Sequence, residues 1–286
     1  MTPPLITPIR WPLEAIWEAV APGLPGFTAE VLPSIDSSNT ELMRRFRGSP
    51  TAEPRPEPTL LVAEQQTAGR GRLGRSWLSQ RGDSLMFSLG MPLTPTDWSG
   101  LSLAVGVSLA DSLDPANAPQ HHIALKWPND LWLVQNKTER KLAGILVETA
   151  TLEGQRYVVI GVGINVRAFE MTVQQLTSIA PNCLQNLQPG ADVASTLLRV
   201  LPPLVQTVQA FAQFGFAPYQ ARFARRDVLA GRDVQLSDGT QGTAHGVTEL
   251  GALLVHTSTG MKEITSSEVS VRPVSGGAPT GDLRPC

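Results

Sequence analysis

The spacing of apolar positions along the chain changes several times, and each change marks an element. Leu101 to Leu113 carries apolar residues at helical spacing and predicts a core helix. Residues 192–214 repeat that pattern, with Pro202-Pro203 predicting a break inside it. Residues 36–48 predict another helix. Asp36 to Ser38 offer N-caps, Ser38 and Glu41 fit a capping box, and Gly48 suits the end. A further helix is expected from Pro218 to Arg226, and a short amphipathic piece from Leu13 to Val20. Strand-like runs cover Thr59–Ala63, Leu85–Met91, Ile123–Trp127, Leu131–Val134, Leu142–Thr149 and Tyr157–Val166. Turns at Pro128-Asn129-Asp130, Asn136 to Arg140 and Glu153-Gly154 join the later runs. The middle of the chain therefore predicts a largely antiparallel meander with helices beside it.

After Asp227 the pattern changes. Val228 to Val271 holds only short strand-like pieces between glycine turns (Asp238-Gly239, Gly242, Gly246, Gly251, Gly260), which suits a small β-barrel. The chain thus divides into a Pro-punctuated segment (1–25), a large α/β unit (26–226), a small β unit (227–275) and a Gly/Pro tail (276–286).

Composition narrows the class. A length of 286 residues suits one large domain or two unequal ones. A hydrophobic content of 42% is enough for a sizeable core. A net charge of −2 argues against nucleic-acid binding through bulk positive charge. Two cysteines, Cys183 and Cys286, make neither a disulfide framework nor a cysteine zinc site. Of the four histidines, only His121 and His122 are neighbours, so no metal cluster is visible. No run reaches the ~18 consecutive apolar residues of a membrane span, and Met1 to Arg10 lacks a secretory signal pattern. A soluble protein of the reducing cytoplasm is expected.

The most informative stretch is Ala68-Gly69-Arg70-Gly71-Arg72-Leu73-Gly74-Arg75-Ser76-Trp77. Its glycines match a dinucleotide fingerprint by string, but that fingerprint opens a helix, and the next element here reads as a strand. A phosphate-binding P-loop fails for the same reason. What remains is chemical. Arg70, Arg72, Arg75 and Arg81 lie between Glu64 and Asp83 with no acid among them. Arginine presents a fork that fits carboxylate or phosphate, and glycine lets backbone approach a ligand closely. The stretch therefore reads either as an anion-binding loop or as a solvated basic one.

Three motifs follow. Lys126-Trp127-Pro128-Asn129-Asp130-Leu131 puts Asn and Asp at a tight turn, where an Asx turn is the plain alternative. Lys141-Leu142-Ala143-Gly144-Ile145-Leu146-Val147-Glu148 starts a strand with Lys and carries an interior Gly, a sign of close approach or of a bulge. Ile160-Gly161-Val162-Gly163-Ile164-Asn165-Val166 sets two glycines and an Asn in an apolar strand. Taken in order with Asp36-Ser37-Ser38-Asn39 and Glu64 to Arg72, these motifs closely resemble the biotin protein ligases across about residues 30–275.

That resemblance implies a class II synthetase-like α/β catalytic domain, with a mixed or antiparallel sheet and flanking helices, followed by an SH3-like barrel. It also implies an activity: ATP-dependent formation of biotinyl-5′-AMP, then transfer of biotin to a lysine of a biotin carboxyl carrier protein of acetyl-CoA carboxylase, with Mg²⁺ taking part. Carried over by motif, Ser37, Ser38, Asn39, Gln66, Arg70, Gly71, Arg72, Lys141 and Gly144 resemble the biotin side of the site. Arg75, Trp77, Asn129 and Asn165 resemble the ATP side, and Asp130 the metal ligand. Lys141, Arg70 and Arg72 resemble the groups that act on the carboxylate and α-phosphate. Ser38 stands where many members have Thr, which keeps the hydroxyl, and Leu73 where some have a third consecutive basic residue.

Some members also carry an N-terminal helix-turn-helix domain and act as repressors. Here about 35 residues precede Ser37 and six of the first 25 are Pro, so no DNA partner is expected. No membrane partner is expected either, and both monomer and homodimer are compatible with the sequence. A lipoate ligase, sharing the implied fold and adenylation chemistry, is the nearest alternative. A nucleic-acid-binding module using the Arg loop and the small barrel is the alternative from another class, and the net charge speaks against it.

Overall fold

The computed structural model describes residues 8–48, 56–115, 122–135, 138–152, 154–168, 181–265 and 271–273. Pro50 and Pro54, Asn136 and Glu153 of the expected turns, and the tail 276–286, lie outside the described residues.

Seven strands build the main sheet: β1 (Thr28–Leu32), β2 (Thr59–Ala63), β3 (Ser84–Pro92), β4 (Ile123–Lys126), β5 (Asp130–Gln135), β6 (Thr138–Leu152) and β7 (Gln155–Asn165). Their order is β1-β2-β3-β7-β6-β5-β4. Only β1 and β2 run parallel; the other pairs are antiparallel, so the expected meander is present within a mixed sheet. β1 is absent from the sequence reading. No residue of Thr28–Leu32 is fully buried, so it carries too little apolar contrast to stand out at the sheet edge.

Among the described residues, five α-helices cover the sheet: α1 (Leu13–Val20), α2 (Ser38–Arg47), α3 (Leu101–Leu113), α4 (Val193–Phe214) and α5 (Ala217–Ala224). α3 is buried nearly all round, which explains its weak polar face. It packs with α4, α1 and α5 against one face of the sheet, in a core that takes Leu60, Val62, Leu85, Phe87 and Leu89 from the strands. The opposite face belongs to α2. There Leu42, Met43 and Phe46 meet Leu61, Tyr157 and Val159 in a second, smaller cluster. Alternation along β2 thus sends Leu60 and Val62 to one core and Leu61 to the other.

Two local expectations are corrected. The N-cap of α2 is Ser37, whose Oγ accepts from the Thr40 N–H at 3.4 Å; Ser38 is already helical, and Glu41 pairs with Arg44 and Arg45 instead of closing a capping box. The helix at 193–214 is not broken at Pro202-Pro203. Those prolines deprive the carbonyls of residues 198 and 199 of donors, but this is the outward side of α4, where Arg199 and Pro203 are exposed and Leu198 and Pro202 half-buried. Val200, Leu201, Leu204, Val205 and Val208 hold the other side in the core.

The C-terminal unit is a five-stranded antiparallel sheet. It contains β8 (Asp233–Leu236), β9 (Gln241–Val247), β10 (Leu253–Thr257), β11 (Gly260–Ile264) and β12 (Val271–Pro273), in the order β11-β10-β9-β8-β12. Two residues of the Lys126 motif hold it to the main sheet. Trp127, fully buried, donates from Nε1 to the Gly251 carbonyl at 3.1 Å, and Lys126 Nζ donates to the Val271 carbonyl at 2.7 Å. Burial pulls the Lys126 ammonium below its ordinary pKa, against the charge of Asp130, which raises it.

Candidate active site

On the α2 side of the sheet, a cleft opens where β3, β7 and β6 run beside one another. It encloses about 760 Å³ of empty space when its open mouth is counted. Of the residues predicted for the site, Ser37, Ser38, Asn39, Gln66, Arg70, Gly71, Arg72, Arg75, Trp77, Asn129, Asp130, Lys141 and Gly144 all line it. Asn165 does not. It stands buried at the end of β7 opposite Ser84, and on that side Asn129 and Asp130 supply the polar lining. Phe87, Ile145, Leu146 and Val162 also line the cleft and were missed, because apolar strand residues look alike whether they face a core or a ligand.

The floor is made of glycines. Gly144 on β6 and Gly163 on β7 are register partners. A Cβ on Gly163 would lie 2.5 Å from Trp77 Cε2, and one on Gly144 would lie 3.3 Å from Trp77 Cζ3. The two glycines thus make a flat seat for the indole. Gly161, two residues back, does the same for α2: a Cβ there would lie 2.2 Å from Asn39 Oδ1. Close approach was legible from these glycines, but the groups that approach are side chains of this chain.

A hydrogen-bonded chain of buried polar groups runs under α2. Asn39 Nδ2 donates to the Leu146 carbonyl at 3.2 Å and to Glu148 Oε2 at 3.0 Å. Its Oδ1 accepts from the buried Ser88 Oγ at 2.6 Å, and Ser88 Oγ lies 2.7 Å from Ser38 Oγ. Gln66 Oε1 accepts from the Ser38 N–H at 2.8 Å. These bonds fix the start of α2 against the sheet and against the stretch that leads into the arginine loop.

The loop itself is a narrow hairpin. The Gly71 N–H donates to the Arg75 carbonyl at 2.7 Å and the Trp77 N–H to the Gly69 carbonyl at 2.8 Å. Arg72–Gly74 forms a 3-10 turn at its tip, with Leu73 at φ +55°. Arg70 reaches back to Glu148 at 3.1 Å and Thr40 at 3.2 Å. Burial lowers the pKa of Arg72, Asp130 acts to raise it and Arg75 to lower it further; the guanidinium keeps its charge throughout. Lys141 Nζ lies 2.7 Å from Asp130 Oδ1 and 5.6 Å from the Trp77 ring centre.

Arg70, Arg72, Arg75 and Lys141 thus face the cleft, with Asp130 the single carboxylate among its lining residues. That balance suits an anionic ligand. Lys141 is not at a strand start as expected but inside β6, which begins at Thr138.

The comparisons fit this geometry. Over 255 residues the chain is 34% identical to the bifunctional ligase/repressor BirA of Escherichia coli, covering 87% of this chain and 75% of that protein. The chain belongs to the biotin protein ligase family. Residues 31–165 match the model of the biotin/lipoate A/B protein ligase family, and residues 231–272 that of the biotin protein ligase C-terminal domain. The biotin--[acetyl-CoA-carboxylase] ligase of Mycobacterium tuberculosis is 34% identical over 204 residues, 68% of this chain and 70% of that one. A solved biotin protein ligase from Aquifex aeolicus, in complex with biotin and ATP, superposes with a TM-score of 0.69 at 30% identity, over 86% of this chain and 99% of that one. As a biotin protein ligase the chain is an enzyme, and its mixed sheet and C-terminal sheet are those of the family.

Proposed function

We propose that this chain activates biotin with ATP and passes it to a lysine of a biotin carboxyl carrier protein, with the cleft as the site of both steps. The carrying observation is the set of four cations over a glycine-floored cleft in a member of this family. In the first step, a biotin carboxylate oxygen attacks the α-phosphorus of ATP. The bond to the β-phosphate breaks and pyrophosphate leaves. Two anions meet, so fixed cations aimed at the developing charge are required. Lys141 projects from a strand and Arg70 and Arg72 from the loop, which lets the loop bring its charges to a ligand already held by the sheet. In the second step, the acceptor amine attacks the acyl carbon, the bond to AMP breaks, and the amine proton leaves to solvent.

The neutral end of biotin suits the hydroxyls of Ser37 and Ser38 and the amide of Gln66. Gln66 gives its carbonyl to Ser38, so its amide N–H is what it can offer a ligand. Trp77 offers the adenine a flat face beside Asn129 and Arg75. Mg²⁺ fits the donor set: Asp130 is one carboxylate at the cationic end, and Mg²⁺ is commonly held by one or two carboxylates together with substrate phosphates. When bound, it supplies charge neutralisation at the phosphates.

The proposed setting is the cytoplasm, where ATP is available. A ligase role without DNA binding is supported by the net charge of −2 and by α1, which buries Ile16 and Val20 in the catalytic core. The deciding experiment is pyrophosphate exchange with biotin, lipoate or neither added, followed by biotinylation of a carrier domain. Exchange that needs biotin supports the reading; exchange with lipoate alone, or with neither, sinks it.

A further inference from the structure

The arginine loop has a neck. β2 ends at Ala63 and β3 starts at Ser84, and these strands are antiparallel neighbours, so the intervening residues leave and re-enter the sheet side by side. Glu64 stands at the exit and Arg81 near the return. Arg81 Nε and Nη2 each lie 2.7 Å from Glu64 Oε2. The other carboxylate oxygen accepts from Trp11 Nε1 at 3.0 Å. Glu64 is 8% exposed, and its own N–H donates to the Leu32 carbonyl at 2.9 Å. Everything the loop contributes to the cleft, from Gln66 to Trp77, lies between these two residues.

We propose that Glu64 is a positioning residue for the reaction: it pins the neck of the arginine loop and ties it to the N-terminal segment through Trp11. The inference rests on the adenylating reading of the cleft. Its physical basis is a buried carboxylate with a partner on each oxygen. Burial acts to raise the Glu64 pKa, but the hydrogen bonds from Arg81 and Trp11 and the Arg81 charge hold it below the ordinary value, so the carboxylate stays charged. A loop closed at its neck has fewer conformations to lose when it closes over a ligand. Trp11 packs beside the core with Ile9, just before α1, and so turns the N-terminal segment into a brace for the loop. Glu64 does not itself line the cleft, so its effect falls on ligand affinity and intermediate retention rather than on the reacting atoms.

The test uses the full chain with Glu64→Gln, Trp11→Phe, Arg81→Ala and Arg81→Lys. Biotin-dependent pyrophosphate exchange yields KM for biotin and the saturating rate; a chase with unlabelled biotin yields the release rate of labelled biotinyl-AMP. Hydrogen bonds to charged groups are strong enough that losing one is expected to raise KM and release about tenfold in Glu64→Gln and Trp11→Phe. The saturating rate is expected to stay within about twofold, because the closed geometry is unchanged. Arg81→Lys is expected to recover part of what Arg81→Ala loses. Should Glu64→Gln fail to fold, Trp11→Phe, which keeps an aromatic side chain but removes the N–H together with the pyrrole half of the indole, decides the matter. KM and release at wild-type values in that variant overturn the proposal, as does a fall in saturating rate with KM unchanged. A wild-type chain without biotin-dependent exchange overturns the reading of the cleft itself, a result distinct from either.

Discussion

Lys141 meets Asp130 because of a bulge. The two residues lie on neighbouring strands, with Nζ 2.7 Å from Oδ1. Lys141 and Gly144 are three residues apart and would point to opposite faces of a regular strand. The register between β5 and β6, however, shifts from Leu131↔Ala143 to Trp132↔Lys141, so one residue of β6 is extra. That shift turns Lys141 to the side of Gly144, where Nζ lies 3.1 Å from the position of a Cβ on that glycine. Bulges re-aim side chains in this way beside active sites. The ammonium therefore comes off a rigid element and is already held over the cleft.

Lys141→Gln is expected to reduce biotin-dependent pyrophosphate exchange about a hundred- to a thousandfold, the usual cost of removing one preorganised electrostatic group. It also leaves Asp130 without its cation. Both side chains are partly exposed, at 38% and 18%, so the stability loss stays near 1 kcal/mol and the melting midpoint falls by about 2–4 °C. A loss of exchange below about tenfold moves the carboxylate and phosphate role to the arginine loop.

Gly163→Ala tests the seat of the indole. The added Cβ would lie 2.5 Å from Trp77 Cε2, closer than real contacts allow, so the ring must leave the floor. The strand itself accepts Ala, since Gly163 has an ordinary strand backbone. KM for ATP is expected to rise at least about tenfold, with a cost in folding of about 1–3 kcal/mol. An unchanged KM for ATP shows that the nucleotide does not use this face.

Arg226, the last residue of the catalytic unit, ties the end of α3 to β4. Its guanidinium, almost wholly buried, contacts Asp111 at 3.0 Å, Asp114 at 3.1 Å and the Ile123 carbonyl at 2.9 Å. Its own carbonyl accepts from the Leu125 N–H at 2.7 Å. Removing one partner of a buried charge network is expected to cost about 3–5 kcal/mol. Denaturant melts of Arg226→Ala check this, and a loss under about 1 kcal/mol shows that water reaches the site.

Asp227 gives the protein a measurable pH signature. Burial raises its pKa to about 6, against the N–H groups of Leu229 and Ala230 that hold it down. The folded state thus keeps a proton that the unfolded chain releases near pH 3.8. Its contribution is fully present below that value and is lost as pH rises to about 6, to the extent of about 3 kcal/mol. Asp227→Asn cannot ionise, so the stability difference between variant and wild type is expected to grow in the variant's favour from pH 4 to pH 6 and then level off. Melting midpoints across that range give the difference directly, and a flat one refutes the assignment.

The glycine–arginine loop, the order of the Lys and Asn-Asp motifs and the apolar periods of the helices and central strands were legible in the chain alone. Each depends on local chemistry: the fork of Arg, the missing Cβ of Gly, the burial of Leu101 to Leu113. Through the family resemblance that their order carries, they also implied the catalytic unit and all but Asn165 of the cleft residues named for it. Other features depend on partners distant in sequence, and only the tertiary structure decided them. Trp127 and Lys126 sit within the Asn-Asp motif but serve Gly251 and Val271 of the C-terminal sheet. Gly161 and Gly163 receive Asn39 and Trp77, from a helix and a loop more than eighty residues away. α4 runs through two prolines because its core face is buried and its proline face is turned outward. Glu64 was one acid before an arginine loop until the fold set Arg81 and Trp11 on its two oxygens. A residue's type states which contacts it can make; which of them it does make is set by what the rest of the chain brings within 3 Å.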